Sequence, residues 1–294
     1  MGFNNTDGPL KSIDNNSVNY LIQNLKEYTD KIEQCLKKEL SNYSWSCFYE
    51  PMTYIIDGGK RIRPLILNLA YESTGNGHED PLPAAVAIEL LHTESIIHDD
   101  IIDQEISRRN RLAFHVKYGY NTSVLTADFV FGIILDIASR YSDPLVVKEL
   151  SSSSLRMCEG EFREMKIHNG NCRINWDEYI SIISQKTASL FQTTAKIGAI
   201  IGGGGRNEIN AFSNYGLNLG IAYQLQDDIL DWGEEGKILN AFEEKSSEED
   251  LLIRLNKTSR NYAERAKNDI EFLKNSESKK YLLELADFTV ERQN

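Results

Sequence analysis

Two clusters of aspartate residues have the composition and spacing of a site for divalent metal ions. The first cluster is Asp99, Asp100 and Asp103, and the second is Asp227, Asp228 and Asp231. On a helix, residues four apart share a face, so two carboxylates of each cluster repel one another unless a cation neutralises them. Oxygen ligands of this kind suit Mg²⁺, which takes its remaining ligands from water or a substrate phosphate. We therefore predict that the two clusters face each other across a cavity and hold a diphosphate through several Mg²⁺ ions.

Basic residues in three other segments could bind the phosphate groups that accompany such metal ions. They are Lys60, Arg61 and Arg63, then Arg108 and Arg109, then Lys186. The first group follows two glycines at a helix start, where backbone N–H groups favour an anion and guanidinium groups match phosphate oxygens. Taken with the aspartates, these residues predict a site for two polyanions. His92 lies two turns before the first cluster, and it is either a core histidine or a further diphosphate donor.

The elements that position these residues are predicted to be helices throughout. Proline is scarce, with six residues in all, and apolar residues recur at helical spacing. The predicted helices cover 18–40, 44–56, 65–73, 83 to the first cluster, 124–141, 144 onward, 174–201, 207–232, 247–274 and 279–293. The four glycines at 202–205 are interpreted as a helix terminator. No linker or repeat divides the chain, so we predict a flexible tail over 1–16 and a single all-α domain over 17–294.

The composition excludes several classes of function. The chain has 294 residues and a formal net charge of −12, which argues against general nucleic-acid binding. No apolar run reaches the length of a transmembrane helix, and the N-terminus lacks the apolar core of a signal peptide. The four cysteines have neither metal-type nor redox-type spacing, which is typical of a reduced, cytoplasmic protein.

Several segments, in this order along the chain, resemble the trans-isoprenyl diphosphate synthases. They are Gly58-Gly59-Lys60-Arg61-Ile62-Arg63-Pro64, Leu91-His92, 98–103, Arg108-Arg109, Lys186-Thr187 and 223–231. Several long motifs in the right order are far more specific than one aspartate motif. The resemblance implies an all-α bundle around a central apolar cavity, usually dimeric. It also implies the condensation of isopentenyl diphosphate with dimethylallyl, geranyl or farnesyl diphosphate to a longer product, such as geranylgeranyl diphosphate.

The resemblance implies a role for each matching residue. Mg²⁺ would be bound by Asp99, Asp103 and Asp227, with Asp100, Asp228 and Asp231 beside them. Isopentenyl diphosphate would contact Lys60, Arg63, His92 and Arg109. The allylic diphosphate would contact Arg108, Lys186, Thr187, Gln224 and, less securely, Lys237. Catalysis would depend on Asp99, Asp103, Lys186 and Asp227, and the released diphosphate would take up the proton.

The sequence departs from the family's pattern in three places. Asn110 and Leu112 stand where glycine and proline usually follow the two arginines, which changes the backbone angles that the loop allows. The loop after Asp231 is shorter than usual and lacks a threonine and a proline, which puts the role of Lys237 in doubt. Glu94 stands where an aromatic residue often closes the tunnel of short-chain enzymes, and a buried carboxylate there needs a partner.

Two other interpretations remain open. A non-catalytic subunit that tunes a catalytic homologue would explain the shortened loop, although it has no need of two intact aspartate clusters. A terpene cyclase would share the fold and the first aspartate motif. Its second metal motif combines Asn or Asp with Ser or Thr and Glu, which residues 224–231 do not match.

Overall fold

The computed structural model describes residues 15–170, 173–232, 242 and 247–292, with side chains from residue 25 onward except at 168–170 and 248. Within these ranges the chain forms twelve α-helices, one π turn and one pair of short strands. The helices are α1 Asn15–Ser41, α2 Tyr49–Ile56, α3 Ile62–Thr74, α4 Leu82–Ile102, α5 Phe114–Tyr118, α6 Tyr120–Ser139, α7 Pro144–Gly170, α8 Trp176–Ile183, α9 Ser189–Ile201, α10 Arg206–Leu230, α11 Glu248–Asp269 and α12 Glu277–Glu291. The strands are β1 Ser107–Arg108 and β2 Arg111–Leu112, and the π turn is Ser184–Ala188.

The centre of the fold is α9, which lies between α3 and α10. It is buried on nearly every side, and its sequence is correspondingly apolar. The outer helices are amphipathic instead, because each packs one face inward: α6 lies against α4, and α11 lies against α10. Each large apolar side chain that is fully buried in this way stabilises the fold by about 1.5–3 kcal/mol. The helical fold expected from the sequence is confirmed, and it places the ends of α4 and α10 at the candidate site.

Gly198 allows α9 to approach α3 closely. A Cβ atom at this position would lie 2.3 Å from the carbonyl oxygen of Leu67. Gly216 has the same function between α10 and α9, where a Cβ atom would lie 2.3 Å from the carbonyl oxygen of Phe191. Backbone atoms cannot yield locally as a side-chain tip does, so any larger residue would force the helices apart.

The structure corrects three of the predicted boundaries. Residues 42–48 form turns, so α2 begins at Tyr49 and not at residue 44. The predicted helix over 174–201 is divided into α8, the π turn and α9, and residues 173–175 precede it. A β-hairpin with strands β1 and β2 follows α4, although the sequence predicted no strand. The glycines after α9 do end the helix as predicted, with Gly203 at a φ of 70°.

The two central residues of the hairpin explain how it forms without the glycine and proline expected from the family. Arg109 and Asn110 have φ values of 52° and 58°, and β1 and β2 pair directly on either side of them. Positive φ at both central residues is what a type I′ turn requires, and it suits the right-handed twist of a hairpin. Asparagine tolerates this conformation better than most residues. The departure at Asn110 therefore produces a different but regular loop.

Among the described residues, one helix is long and apolar enough to cross a membrane by length and composition, which is α6. The sequence analysis predicted no such segment. In the structure α6 packs against α4, α5 and α7, and one of its faces, with Val130, Ile133 and Ile137, is buried in the core. This packing is that of a helix in a folded bundle with one face against the core.

We expect Gly198→Ala to destabilise the fold by about 1–3 kcal/mol, because the added methyl group overpacks the contact between α9 and α3. The matched control is Gly132→Ala in α6, where a Cβ atom would meet nothing within 4 Å. That variant should be neutral or more stable by up to about 1 kcal/mol, since alanine favours the helix. Chemical denaturation followed by circular dichroism measures both, and equal free energies of unfolding would contradict this account of Gly198.

Candidate active site

The first aspartate cluster lies at the C-terminal end of α4. Asp99 is half-buried in the last turn, and Asp103 is the exposed residue that caps the helix, with its N–H bonded to the carbonyl oxygen of Asp99. The C-terminal end of a helix already carries a partial negative charge of about half an electron. Carboxylates placed here are repelled by one another and by the helix dipole, so a cation nearby would stabilise them. Burial, together with the nearby charges of Glu161 and Asp103, raises the pKa of Asp99 to about 7 in spite of Lys186.

Asp100 points the other way and is fully buried. Its Oδ1 atom accepts a hydrogen bond of 2.5 Å from Nε of Arg108, which lies in the hairpin. Its Oδ2 atom has no hydrogen-bond partner in the described part of the chain. Asp100 therefore anchors Arg108 beside the cluster, and one buried oxygen is left over.

The second cluster repeats this arrangement at the C-terminal end of α10. Asp231 caps the helix, and its N–H bonds to the carbonyl oxygen of Asp227 at 2.9 Å. Asp227 lies 2.5 Å from the guanidinium of Arg292, at the end of α12. Burial raises the pKa of Asp227, and Arg292 acts against it. The same local geometry at two helix ends follows from the same spacing of aspartates.

Asp228 is buried, as Asp100 is, and it ends a short chain of hydrogen bonds. It accepts a very short hydrogen bond from the hydroxyl of Tyr179 and one of 2.9 Å from the amide of Gln224. Gln224 in turn accepts a hydrogen bond of 2.7 Å from the hydroxyl of Thr187. Burial raises the pKa of Asp228 to about 6. The structure thus ties Thr187 and Gln224 to the second cluster, where they fix the orientation of its middle aspartate.

Lys186 lies in the π turn between α8 and α9. Its Nζ atom is 2.7 Å from carboxylate oxygens of both Glu161 and Glu164, which lie on α7. Gly160 lets α7 approach this turn, since a Cβ atom there would lie 2.4 Å from the backbone nitrogen of Lys186. π turns are often found at functional sites, where the extra residue redirects a side chain. Here the π turn directs Lys186 towards Asp99. The positive charge of Lys186 acts against the rise in the pKa of Asp99.

Arg63 is influenced by both clusters. Its guanidinium lies over the ring of Phe191, with 4.5 Å between Cζ and the ring centroid, and its Nε atom is buried. The charges of Asp227 and Asp99 both act on the pKa of Arg63, against the effect of burial. Burial lowers the pKa of Arg63, and its Nε atom has no hydrogen-bond partner among the described residues. A buried guanidinium with an unpaired N–H group is a strong indication of an anion site.

His92 and Arg109 lie close to Arg63. Burial, reinforced by the positive charges of Arg63 and Arg109, lowers the pKa of His92 well below its ordinary value. The imidazole is therefore neutral at pH 7 and keeps one N–H group to donate. Arg109 folds over Gly59, where a Cβ atom would lie 3.3 Å from its guanidinium nitrogens. Lys60 is exposed at the edge of the same corner.

Arg61 differs from its neighbours, although the sequence groups it with them. It is 5% exposed, and its guanidinium lies 2.5 Å from Glu89 and 2.9 Å from Glu33. It also donates a hydrogen bond of 2.7 Å to the carbonyl oxygen of Ile56. With its own charge compensated by two carboxylates, Arg61 fixes the start of α3 and does not take part in binding an anion.

A chamber of about 240 Å³ opens directly below Asp99, between α4 and α7. Leu91, Ile102, Met157, Phe162 and Met165 give it an apolar wall. Glu94 also lines it, and its carboxylate lies 3.3 Å from Nδ1 of His98, which is the partner that a buried carboxylate requires. Burial raises the pKa of Glu94 to about 7.

The residues present fit Mg²⁺ by their chemistry. The candidate ligand atoms at both helix ends are carboxylate oxygens, those of Asp99 and Asp103 at the end of α4 and those of Asp227 and Asp231 at the end of α10. Among the described residues, no three acidic, histidine or cysteine side chains converge as a complete metal site would require. Mg²⁺ is commonly bound by one or two carboxylates together with water and substrate phosphates. Carboxylates divided between the ends of two helices are therefore suitable ligands for it.

Comparison with known proteins identifies the family. The profile described as Polyprenyl synthetase matches residues 46–268. The chain belongs to this family. The geranylgeranyl diphosphate synthase of Methanosarcina mazei is 30% identical over 93% of this chain and 98% of its own length. The geranylgeranyl pyrophosphate synthase of Geoglobus acetivorans is also 30% identical, over 92% of this chain and 97% of its own length.

A solved structure from the same family has the same architecture. The geranylgeranyl pyrophosphate synthetase of Pyrococcus horikoshii Ot3 superimposes with a TM-score of 0.82 at 28% identity, covering 94% of this chain and 99% of that one. The helical bundle and the membership of the trans-prenyl synthases expected from the sequence are therefore confirmed.

Four residues of this polyprenyl synthetase site were missed by the sequence analysis: Glu161, Glu164, Tyr179 and Arg292. The two glutamates are three apart on α7, a spacing that places them on one helix face, so a signal was present. Tyr179 and Arg292 carry no such signal, because each reaches the site from a distant part of the chain. Lys237 lies outside the described residues, as do residues 1–14 of the tail predicted over 1–16, whereas residues 15 and 16 belong to α1.

We expect the raised pKa of Asp99 to make stability depend on both pH and Mg²⁺. The folded chain holds this proton up to about pH 7, whereas the unfolded chain loses it near 3.8. The contribution of Asp99 to stability is therefore complete below the unfolded pKa and is lost as pH rises through the folded one. In EDTA, the midpoint of thermal unfolding should fall from about pH 5.5 to about pH 8. Added Mg²⁺ should raise this midpoint more at the higher pH, where the ion does not compete with a proton for the carboxylate of Asp99.

The control is Asp99→Asn, which removes one proton-binding group and should weaken both dependences, while Glu94 and Asp228, whose pKa values are also raised, account for the remainder. Differential scanning fluorimetry at the two pH values measures the midpoints. A larger effect of Mg²⁺ at the lower pH would show that the sign of this argument is wrong.

Proposed function

We propose that this chain is an Mg²⁺-dependent trans-prenyltransferase that condenses isopentenyl diphosphate with an allylic diphosphate. The observation that carries the proposal is the set of carboxylates at the ends of α4 and α10, together with Arg63, whose buried Nε atom has no hydrogen-bond partner among the described residues. A site of this kind has acidic residues for metal ions and a separate cationic corner for a second anion. The apolar chamber below Asp99 then provides room for a hydrocarbon chain.

The allylic diphosphate is proposed to bind between the two helix ends. Asp99, Asp103 and Asp227 would hold Mg²⁺, with Asp231 beside them. When bound, Mg²⁺ would neutralise the charge that builds up on the departing diphosphate. Lys186 and Arg108 add positive charge from the π turn and the hairpin, and both are already held by carboxylates of the chain. Asp100 and Asp228 are proposed to position these groups from behind, since their side chains are buried and paired.

Isopentenyl diphosphate is proposed to bind in the corner formed by Lys60, Arg63, His92 and Arg109. Arg63 offers a buried N–H group, Arg109 lies over the flexible glycines, and neutral His92 can donate one hydrogen bond. The charges of Asp99 and Asp227 both act on Arg63, so this corner is proposed to lie next to the allylic diphosphate.

The reaction that follows needs no side-chain base. Breaking the allylic carbon–oxygen bond leaves an allylic cation, and the double bond of isopentenyl diphosphate attacks it to form the new carbon–carbon bond. A proton is then lost to the released diphosphate, as the family resemblance implies. The contribution of the chain is to orient both substrates and to exclude water from the cation.

We propose a medium-length product, such as geranylgeranyl diphosphate. The support is a chamber that continues from Asp99 along α4 and α7, and the names of the two relatives compared above. The regular hairpin at Asn110 speaks against the non-catalytic subunit, since this departure from the family's pattern leaves Arg108 and Arg109 at the site.

We also propose that the enzyme is a cytoplasmic homodimer. The neighbouring helices α6 and α7 leave large apolar side chains exposed, among them Leu125, Leu135, Leu155 and Phe162. Exposed apolar residues on adjacent helices are typical of a subunit interface.

The purified chain alone, supplied with Mg²⁺, isopentenyl diphosphate and each allylic primer in turn, should form prenyl diphosphates longer than the primer. Chromatography of the dephosphorylated products measures their length. No elongation with any primer would overturn the proposed function and would favour the regulatory subunit. Cyclic hydrocarbons would favour a terpene cyclase.

Asp99→Ala and Asp227→Ala should each lower kcat at least about a hundredfold, because each removes a ligand for the ions that neutralise the leaving group. The control is Asp177→Ala, an exposed aspartate in the first turn of α8. Circular dichroism should show the same helix content in all three variants. Near-normal rates in either site variant would refute the metal-binding assignment.

Glu94→Phe should shorten the product, because the phenyl ring is larger than the glutamate side chain and would fill part of a chamber of about 240 Å³. Glu94→Ala should lengthen it for the opposite reason, and it also removes a polar group from the path of the chain. Glu159→Ala, on the exposed side of α7, is the matched control and should leave the product length unchanged. If all three variants gave the product of the unaltered chain, Glu94 would not line the path of the growing chain.

A further inference from the structure

Arg292 reaches the second aspartate cluster from a different helix, α12. It follows directly after α12, and its Nη2 atom lies 2.5 Å from Oδ1 of Asp227. The same nitrogen donates a hydrogen bond of 3.0 Å to the carbonyl oxygen of Tyr223, one turn earlier in α10. The guanidinium thus lies at one of the carboxylates that the proposed metal ions require.

The contact is built into the fold on several sides. The guanidinium stacks on the ring of Tyr223, with 4.1 Å between Cζ and the ring centroid. Its Nε atom donates to the carbonyl oxygen of Thr289, and the amide of Gln226 donates to the carbonyl oxygen of Arg292 itself, both at 3.3 Å. The side chain is only 10% exposed. An arginine held in this way keeps a fixed position and differs from a loosely placed surface charge.

The need for such a charge follows from the position of Asp227. The carboxylate is mostly buried at the negative end of α10, and the like charge of Asp231 acts on it as well. Without a cation nearby, this arrangement would be costly. Arg292 supplies that cation, and it does so on an oxygen that a metal ion would also use.

We propose that Arg292 is an internal counter-ion of Asp227, which holds this carboxylate while the site is empty and which a divalent cation must displace. The inference rests on the proposed function of the site. Because both cations seek the same carboxylate, binding of Mg²⁺ at the second cluster is opposed by the guanidinium until it moves away. The end of α12 is thereby coupled to the loading of the site, since Arg292 directly follows the last residue of that helix.

The test compares Arg292→Gln and Arg292→Lys with the unaltered chain. Calorimetric titration with Mg²⁺ in the presence of inorganic diphosphate measures binding without catalysis. Arg292→Gln should bind Mg²⁺ about five- to tenfold more tightly, since a partly exposed ion pair no longer competes. Arg292→Lys keeps the charge without the stacking and the paired donors, so its affinity should fall in between.

A second readout is the midpoint of thermal unfolding. Arg292→Gln should have a lower midpoint than the unaltered chain in EDTA, because Asp227 loses its counter-ion, and should gain more from added Mg²⁺. Arg206→Gln is the control: it changes an exposed arginine at the other end of α10 and should alter neither readout. Circular dichroism establishes that each variant is folded.

The outcomes separate this inference from the proposed function. Unchanged or weaker binding of Mg²⁺ by folded Arg292→Gln would overturn the inference, and weaker binding would show that Arg292 helps to hold the metal. Tight binding of Mg²⁺ by the unaltered chain without any prenyl transfer would count against the proposed function alone. No binding of Mg²⁺ by either chain would overturn both.

Discussion

Repulsion among the carboxylates of each aspartate cluster, at the end of α4 and at the end of α10, is the constraint on which the rest of the site depends. Asp99 and Asp227 lie in the last turns of α4 and α10, where the helix dipole adds to their negative charge. The fold meets this cost with cations of its own, and each comes from a different element: Arg108 from the hairpin, Lys186 from the π turn and Arg292 from the end of α12. The surrounding architecture is largely the means by which these cations reach the two ends.

Not every charged group of the site has a complete set of partners, and the unpaired groups indicate what the site can bind. In the described part of the chain, the Nε atom of Arg63 is buried without a hydrogen-bond partner, and one oxygen of Asp100 is buried without a donor. Arg61, two residues away from Arg63, is fully compensated by Glu89 and Glu33. A structure that pairs one arginine so thoroughly and leaves its neighbour unsatisfied provides an anion site at the second position.

The sequence predicted what depends on local spacing and failed where distant segments meet. The aspartate clusters, the Lys-Arg corner and the helical class all follow from patterns within a few residues. Local spacing alone could not distinguish Arg61 from Arg63, because Glu89 and Glu33 lie far from them in the sequence, and only the family resemblance gave a role to Arg63 and none to Arg61. Arg292 and Tyr179 were missed for the same reason. The hairpin was missed because the turn depends on two residues with positive φ, neither of which is glycine.

The π turn at Ser184–Ala188 has a consequence for how this site could have arisen. A wide turn of this kind accommodates one more residue than an α-helical turn, and each residue turns an α-helix by about 100°. Deleting a single codon here would restore a regular helix, but it would rotate everything before or after it by that angle. Lys186 would leave the carboxylates of α7, or α9 would lose its fit against α3. The extra residue of the π turn is therefore held in place by packing on both sides.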